Sequence, residues 1–194
     1  MRGVGGARRG RTLAGPKGPG LRPTSDRLRE AIFNVLAHSY DDACAGARVI
    51  DLFAGTGALG IEALSRGAAH ALFVDQGAEA RALIRQNVEA LGLGGITRIF
   101  RRDATRLGPT QDAPYTLAFL DPPYGKGLAP LALTSLREGG WLAPGALVLV
   151  EEEAEAELGE VEGFARLERR DYGDTQLVAL RAGDARGTAT RACG

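Results

Sequence analysis

A chain of 194 residues, 44% apolar and 25% charged, is long enough to bury one ordinary core and calls for no second globular domain. Its apolar runs, such as 145–150, fall far short of a bilayer span, and the arginine-studded N-terminus lacks the apolar segment of a secretion signal, so a cytoplasmic protein is expected. The formal net charge of zero hides a segregation: Arg2, Arg8, Arg9, Arg11, Lys17 and Arg22 precede residue 23 with no acid among them, leaving the remainder with the balancing acidic excess.

Residues 1–22, rich in Gly, Arg and Pro, read as a basic N-terminal arm, either a short ribbon or a disordered segment. Such an arm is a solvated tail or a site that attracts a polyanion such as RNA through counterion release, with Arg9, Arg11 and Arg22 as its contacts. Thr24, Ser25 or Asp26 can cap a helix over 24–38, whose apolar Leu28, Ala31, Ile32, Val35 and Leu36 recur at the helical period and should pack on a sheet. Arg27, Glu30 and Asn34 share another face, which points towards a ligand or towards water.

From Arg48 onward strands and helices alternate. Strands are expected over 49–52, 71–74, 97–101, 116–120 and 146–150, and helices over 58–65, 78–91 and 128–137. A turn-rich stretch is expected over 139–145, and 151–162 reads as an acidic loop or helix, a solvated face. Strands over 164–169 and 175–180 flank the short turn Asp171-Tyr172-Gly173-Asp174 and should form an antiparallel hairpin. The predicted fold is therefore α/β: a doubly wound, mostly parallel seven-stranded sheet ending in a C-terminal hairpin, with one domain over 23–182 and a disordered tail over 183–194. Cys44 and Cys193 lie far apart with no metal or redox spacing, so neither a metal site nor a disulfide is expected.

Two strand ends carry chemistry. Asp51-Leu52-Phe53-Ala54-Gly55-Thr56-Gly57 leads from a strand into a helix, with Gly60 completing a glycine pattern. Asp75 ends the next strand about 20 residues after the first glycine, where a ribose-binding acid belongs. The glycines alone fit NAD equally well. Asp51 at the strand mouth tips the balance, because a carboxylate there opposes a pyrophosphate but suits the ammonium and sulfonium of S-adenosylmethionine. In that reading Gly55 and Gly57 let the backbone approach the methionine part, beside Phe53. Asp103, next to Ala104, either accepts from the adenine amine or is an ordinary strand-end acid.

Asp121-Pro122-Pro123-Tyr124 follows the next buried-looking strand. In isolation it is a turn. Beside the glycine loop it becomes a rigid lip for a planar amine: Asp121 and the Pro122 carbonyl accept its two N–H bonds, the prolines fix the backbone, and Tyr124 stacks on an unstacked base. No cysteine adjoins the lip, so nitrogen is a better methyl acceptor than ring carbon. His38, His70 and Trp141 read as surface or packing residues.

These residues resemble class I S-adenosylmethionine-dependent methyltransferases, and in particular a bacterial family that methylates N2 of a guanine in 16S ribosomal RNA. The resemblance runs from about Arg9 to Arg181. It is carried by Arg9-Gly10-Arg11, by Arg22-Pro23-Thr24, Asp26-Arg27, Arg29-Glu30-Ala31, Phe33-Asn34 and Leu36, by the Asp51–Ser65 block, by Asp121-Pro122-Pro123-Tyr124 and by Gly140-Trp141-Leu142-Ala143. It implies that Asp51, Gly55, Gly57 and Asp75 bind the methyl donor and that Asp121 to Tyr124 hold the amine. Thr24, Arg27 and Asn34 would border the site, and the partner would be the small ribosomal subunit or its RNA, met by a monomer without metal. Gly3, Gly5 and Gly6 depart from the pattern, standing where apolar strand residues are expected and weakening the case for a ribbon, while Gln76-Gly77 removes a bulky neighbour for an adenine. The alternatives are an adenine-N6 methyltransferase acting on DNA or RNA, and a non-catalytic RNA-binding module of the same fold.

Overall fold

Residues 2–3, 5–17 and 24–183 are described by the computed structural model; Arg22, Cys193 and the tail from 184 onward lie outside them. Seven strands, β1 (Arg48–Leu52), β2 (His70–Val74), β3 (Thr97–Phe100), β4 (Tyr115–Leu120), β5 (Leu142–Glu153), β6 (Phe164–Tyr172) and β7 (Thr175–Ala182), form one sheet in the order β3-β2-β1-β4-β5-β7-β6. The first five are mutually parallel, and β7 runs antiparallel to both β5 and β6. The strand order reverses between β1 and β4, which opens a crevice at their carboxyl ends.

Each central strand is apolar on both sides because both sides are covered. Val49, Phe73, Phe119 and Leu149 face one core with residues of α1 (Asp26–Ser39), α2 (Ala58–Ser65) and α3 (Ala78–Ala90). Ile50, Leu52, Val74, Leu120 and Val150 face the other with α4 (Leu128–Glu138) and Trp141. Helix α1 starts where Ser25 Oγ accepts from the Leu28 amide at 3.1 Å, and it buries Ile32, Phe33 and Leu36 as its periodicity predicts. Phe33 lies 5.7 Å from the Phe119 ring and carries the Arg66 guanidinium at 5.1 Å on its face, pinning α1 to both sheet and α2.

The N-terminal glycines form a short ribbon after all. Gly3 N–H donates to Arg11 O at 2.9 Å and Gly10 N–H to Gly3 O at 2.8 Å, beside an Arg2–Thr12 bridge. Close approach explains the glycines: a Cβ on Gly6, where φ is +65°, would collide with the Ser65 carbonyl. The ribbon is tied down by Arg8 N–H to Ser65 Oγ at 2.8 Å and by a two-way bond between Ala14 and the Asn87 amide, at 2.6 and 3.1 Å.

The bounds of β5 differ most from the sequence expectation. β5 begins at Leu142, inside the predicted turn, because Leu142 pairs with Tyr115 and the strand then bulges through Pro144 and Gly145 before Leu147 pairs with Leu117. It also continues to Glu153, so Glu151 and Glu152, each 6% exposed, are strand residues and not a solvated acidic loop. In the hairpin, Tyr172 pairs with Thr175, leaving the two-residue turn Gly173-Asp174.

Helix α2 lies directly on the sheet at Gly60, where a Cβ would stand 2.5 Å from Phe73 Cε1 and 3.2 Å from Asp51 Oδ2. Gly60→Ala should therefore lower stability by about 1–3 kcal/mol, measured by urea unfolding. An unchanged midpoint would contradict this contact.

Candidate active site

Strand alternation assembles the site. Val49 and Asp51, Phe73 and Asp75, Phe119 and Asp121, and Leu149 and Glu151 are i, i+2 pairs, so each acid continues the row whose apolar member faces the core shared with α1, α2 and α3. At the carboxyl ends the rows emerge into a cleft of about 1210 Å³, floored by these four carboxylates. The volume exceeds the roughly 300–1,000 Å³ of an ordinary small-molecule pocket and leaves room for two ligands side by side.

One half of the cleft is the glycine loop. Phe53 (φ 57°) and Gly55 (φ 59°) adopt left-handed backbone, a strained state for the phenylalanine, and Gly57 (φ 78°) caps α2. Asp75 holds the turn through both oxygens, Oδ2 accepting from Gly55 N–H at 3.0 Å and Oδ1 from Gly77 N–H at 2.8 Å. Asp51, 2% exposed, accepts from Gly60 N–H at 3.0 Å and so also serves as a cap for α2. Burial pushes its pKa well above the usual carboxylate range, the Gly60 amide opposes the shift, and the charges of Asp121 and Asp75 add to it. A carboxylate so placed favours a cationic ligand. Asp103 Oδ1 accepts from the Thr105 hydroxyl at 2.7 Å and amide at 2.9 Å, bonds that hold its pKa below normal, while the adjoining Ala104 is buried.

The other half is the proline lip. Pro122 is buried and Pro123 exposed, and the Tyr124 hydroxyl meets Thr175 Oγ1 of β7 at 3.0 Å, which fixes the ring at the cleft wall. Thr24, just before α1, points its hydroxyl at Asp121 Oδ2 (3.3 Å) and Glu151 Oε2 (3.4 Å). The hairpin tip, Tyr172 to Thr175, completes the wall.

Among the residues singled out from sequence, Thr24, Arg27, Asp51, Phe53, Gly55, Asp75, Asp103, Ala104 and Asp121 to Tyr124 line this one cleft. Gly57 lies behind it as the α2 cap, Asn34 is exposed further along α1, and Arg9 and Arg11 are exposed on the ribbon. Arg22 falls outside the described residues. The sequence reading missed Glu151, Gln76, Arg102 and the hairpin tip. For Glu151 a signal existed, the first acid after a buried parallel strand, the same signature as Asp51, Asp75 and Asp121. For the hairpin tip there was none, because its place is set by long-range pairing. His38, His70 and Cys44 do not line the cleft, and burial pushes the Cys44 thiol up to about 12.

The profile of the family described as Conserved hypothetical protein 95 matches residues 1–181. The Escherichia coli (strain K12) protein named Ribosomal RNA small subunit methyltransferase D is 38% identical over 184 residues, spanning 95% of this chain and 90% of that protein. A candidate rRNA methyltransferase of Bacillus subtilis (strain 168), YlbH, is 36% identical over 185 residues, with 93% and 98% covered. The solved structure of a candidate methyltransferase from Escherichia coli, yhhF, superposes with a TM-score of 0.81 at 33% identity, covering 94% of this chain and 98% of that one.

Because burial raises the Asp51 pKa in the folded state, the unfolded chain gives up this proton first, and stability is lost as pH rises from the ordinary carboxylate value towards the shifted one. Asp51→Asn keeps an acceptor for Gly60 and removes the charge. Urea unfolding should show the variant more stable than the parent near about pH 7.5, with the gain shrinking on acidification and gone below about pH 4. A gain independent of pH, or a loss at neutral pH, would contradict this origin of the strain.

Proposed function

The chain belongs to the family described as Conserved hypothetical protein 95, and on that premise we propose that it transfers a methyl group from S-adenosylmethionine to the exocyclic N2 of a guanine in small-subunit ribosomal RNA. The observation that carries this reading is the continuity of the cleft: a glycine-bounded half rich in carboxylates adjoins, without a partition, a half walled by Asp121-Pro122-Pro123-Tyr124. Relatives named as rRNA methyltransferases supply the substrate class.

The donor half fits a cation. Asp51, buried and reluctant to ionise, gains from an ammonium or sulfonium nearby, whereas a pyrophosphate would meet Asp51 and Asp75 unfavourably. Asp75 would accept from the ribose hydroxyls, the Gly55 backbone and Phe53 would border the methionine part, and Asp103 and Ala104 the adenine. When bound, S-adenosylmethionine supplies an electrophilic methyl group.

The protein's own residues then prepare the acceptor. An exocyclic amine is a weak nucleophile because its lone pair is delocalised into the ring. Asp121 and the Pro122 carbonyl accept its hydrogens, orient the nitrogen and offset the positive charge that develops as the N–C bond forms. Tyr124, its hydroxyl engaged by Thr175, offers a fixed face on which the flipped base stacks. No cysteine lines the cleft among the described residues, which leaves the covalent route to carbon methylation without a nucleophile among them. Arg9 and Arg11 on the ribbon, Arg22 beyond the described residues, and Arg27 and Arg102 at the cleft would meet the RNA backbone. We place this activity in the cytoplasm, in a monomer needing no metal. No helix among the described residues is long and apolar enough to cross a membrane.

Labelled methyl transfer to purified small subunits, naked ribosomal RNA and DNA tests the proposal. Label should enter small-subunit RNA and map by mass spectrometry to a guanine. Labelling of DNA alone, or an adenine product, would overturn it, and absence of donor binding by calorimetry would favour a non-catalytic RNA-binding module. Asp121→Ala should lower turnover by about 10²–10³-fold while leaving donor affinity within a few-fold, because it touches the acceptor and not the donor.

A further inference from the structure

The proline lip cannot by itself choose a base. Asp121 and the Pro122 carbonyl accept N–H bonds, and adenine, cytosine and guanine all carry an exocyclic NH₂ that donates two. The bases differ in what stands beside that amine. In adenine and cytosine the ring nitrogens flanking it carry no hydrogen, so both neighbours on the pairing edge are acceptors or carbon. In guanine N2 stands next to N1–H, a further donor, so its amine belongs to a continuous row of donors. A site that selects guanine therefore needs an acceptor beside the lip, and a site that selects adenine needs a donor there.

Glu151 is the group beside the lip. It leaves β5 one step past the Leu120–Val150 pair, where Asp121 leaves β4, so the two side chains emerge from neighbouring strands at one level and on one face. Only 6% of Glu151 is exposed, and it lines the cleft. Its Oε2 and Asp121 Oδ2 flank the same Thr24 hydroxyl at 3.4 and 3.3 Å. An ionised carboxylate is an acceptor only, with about four lone-pair sites on its two oxygens, so the pair brings acceptors and no donor to the point where the pairing edge of a base would lie.

We propose that Glu151 reads N1–H of the target base and makes the site specific for guanine, standing next to Asp121, which grips N2. This inference rests on the guanine-N2 reading given above. With guanine in place, one carboxylate accepts from N1–H and the other from N2–H. With adenine, the ring nitrogen lone pair faces a carboxylate, and the repulsion rejects the base that shares the same amine chemistry. Thr24 acts as a spacer that holds both acids at their level until the base arrives.

The decisive substrate is small-subunit RNA in which the methylated guanosine is replaced by 2,6-diaminopurine, assembled into subunits with ribosomal proteins. This base keeps the 2-amine and turns N1 from donor to acceptor. The wild-type protein should methylate guanine about 10- to 100-fold faster, as kcat/KM, than diaminopurine. Glu151→Gln, whose amide can donate to an acceptor at N1, should lose most of its guanine activity and bring the two substrates to within a few-fold of each other. Its donor affinity by calorimetry should stay within about two-fold of wild type, which also shows that it is folded. A variant that keeps the full guanine preference, or a wild-type protein that treats the two bases alike, overturns the role of Glu151 while leaving the methyltransferase reading standing. A wild-type protein that methylates no guanine in the subunit overturns the underlying reading itself.

Discussion

Like-charged carboxylates repel, and here four of them close one sheet edge. Alternation along parallel strands imposes this: Val49, Phe73, Phe119 and Leu149 must face a core sealed by α1, α2 and α3, so the residue two steps on in each strand faces the same way, nearer the carboxyl ends. Asp51, Asp75, Asp121 and Glu151 occupy those positions. The arrangement is tolerated because each acid is given hydrogens locally. Gly60 serves Asp51, Gly55 and Gly77 serve Asp75, and Thr24 stands between Asp121 and Glu151. What remains is a cleft suited, in the proposed function, to a cation and an N–H-rich base side by side.

The same constraint explains why helix α2 sits so near the sheet. A side chain at Gly60 would clash with Phe73 and crowd Asp51, and without the Gly60 bond a buried carboxylate would face the core alone. The loop before α2 stores further strain in the left-handed Phe53. It is braced from outside by Asn87, 2% exposed, whose side-chain amide donates to the Thr56 carbonyl at 3.0 Å and also holds Ala14 of the N-terminal ribbon. One buried amide thus joins the basic ribbon to the glycine loop. The segment proposed to meet RNA and the segment proposed to border the donor share a structural member.

Much of this was readable from periodicity. The parallel strands and the helices carry period-two and helical patterns strong enough that the expected bounds of 58–65 coincide with those of α2. Three features resisted. The start of β5 hides behind Gly140, Pro144 and Gly145, residues that signal turns locally but here make a bulge within a paired strand. Glu151 was obscured by Glu152 and Glu153, since a run of acids reads as solvated surface although strand pairing with β7 buries two of the three. The N-terminal glycines read as departures from a ribbon, when close packing, of Gly6 on Ser65 above all, is what requires glycine there. In each case the deciding contact is with a residue far along the chain, and local pattern carries no information about it.

In the proposed activity one cleft holds donor and acceptor side by side because two strand ends meet at a single sheet edge. A crystal structure of the protein with S-adenosylhomocysteine, the demethylated product of the donor, tests it most directly. The ribose should lie on Asp75, the amino-acid part against Asp51 and Gly55, and the sulfur should turn towards Asp121 and the Pro122 carbonyl. A ligand bound elsewhere, or bound in this cleft with its sulfur turned away from the proline lip, would contradict it.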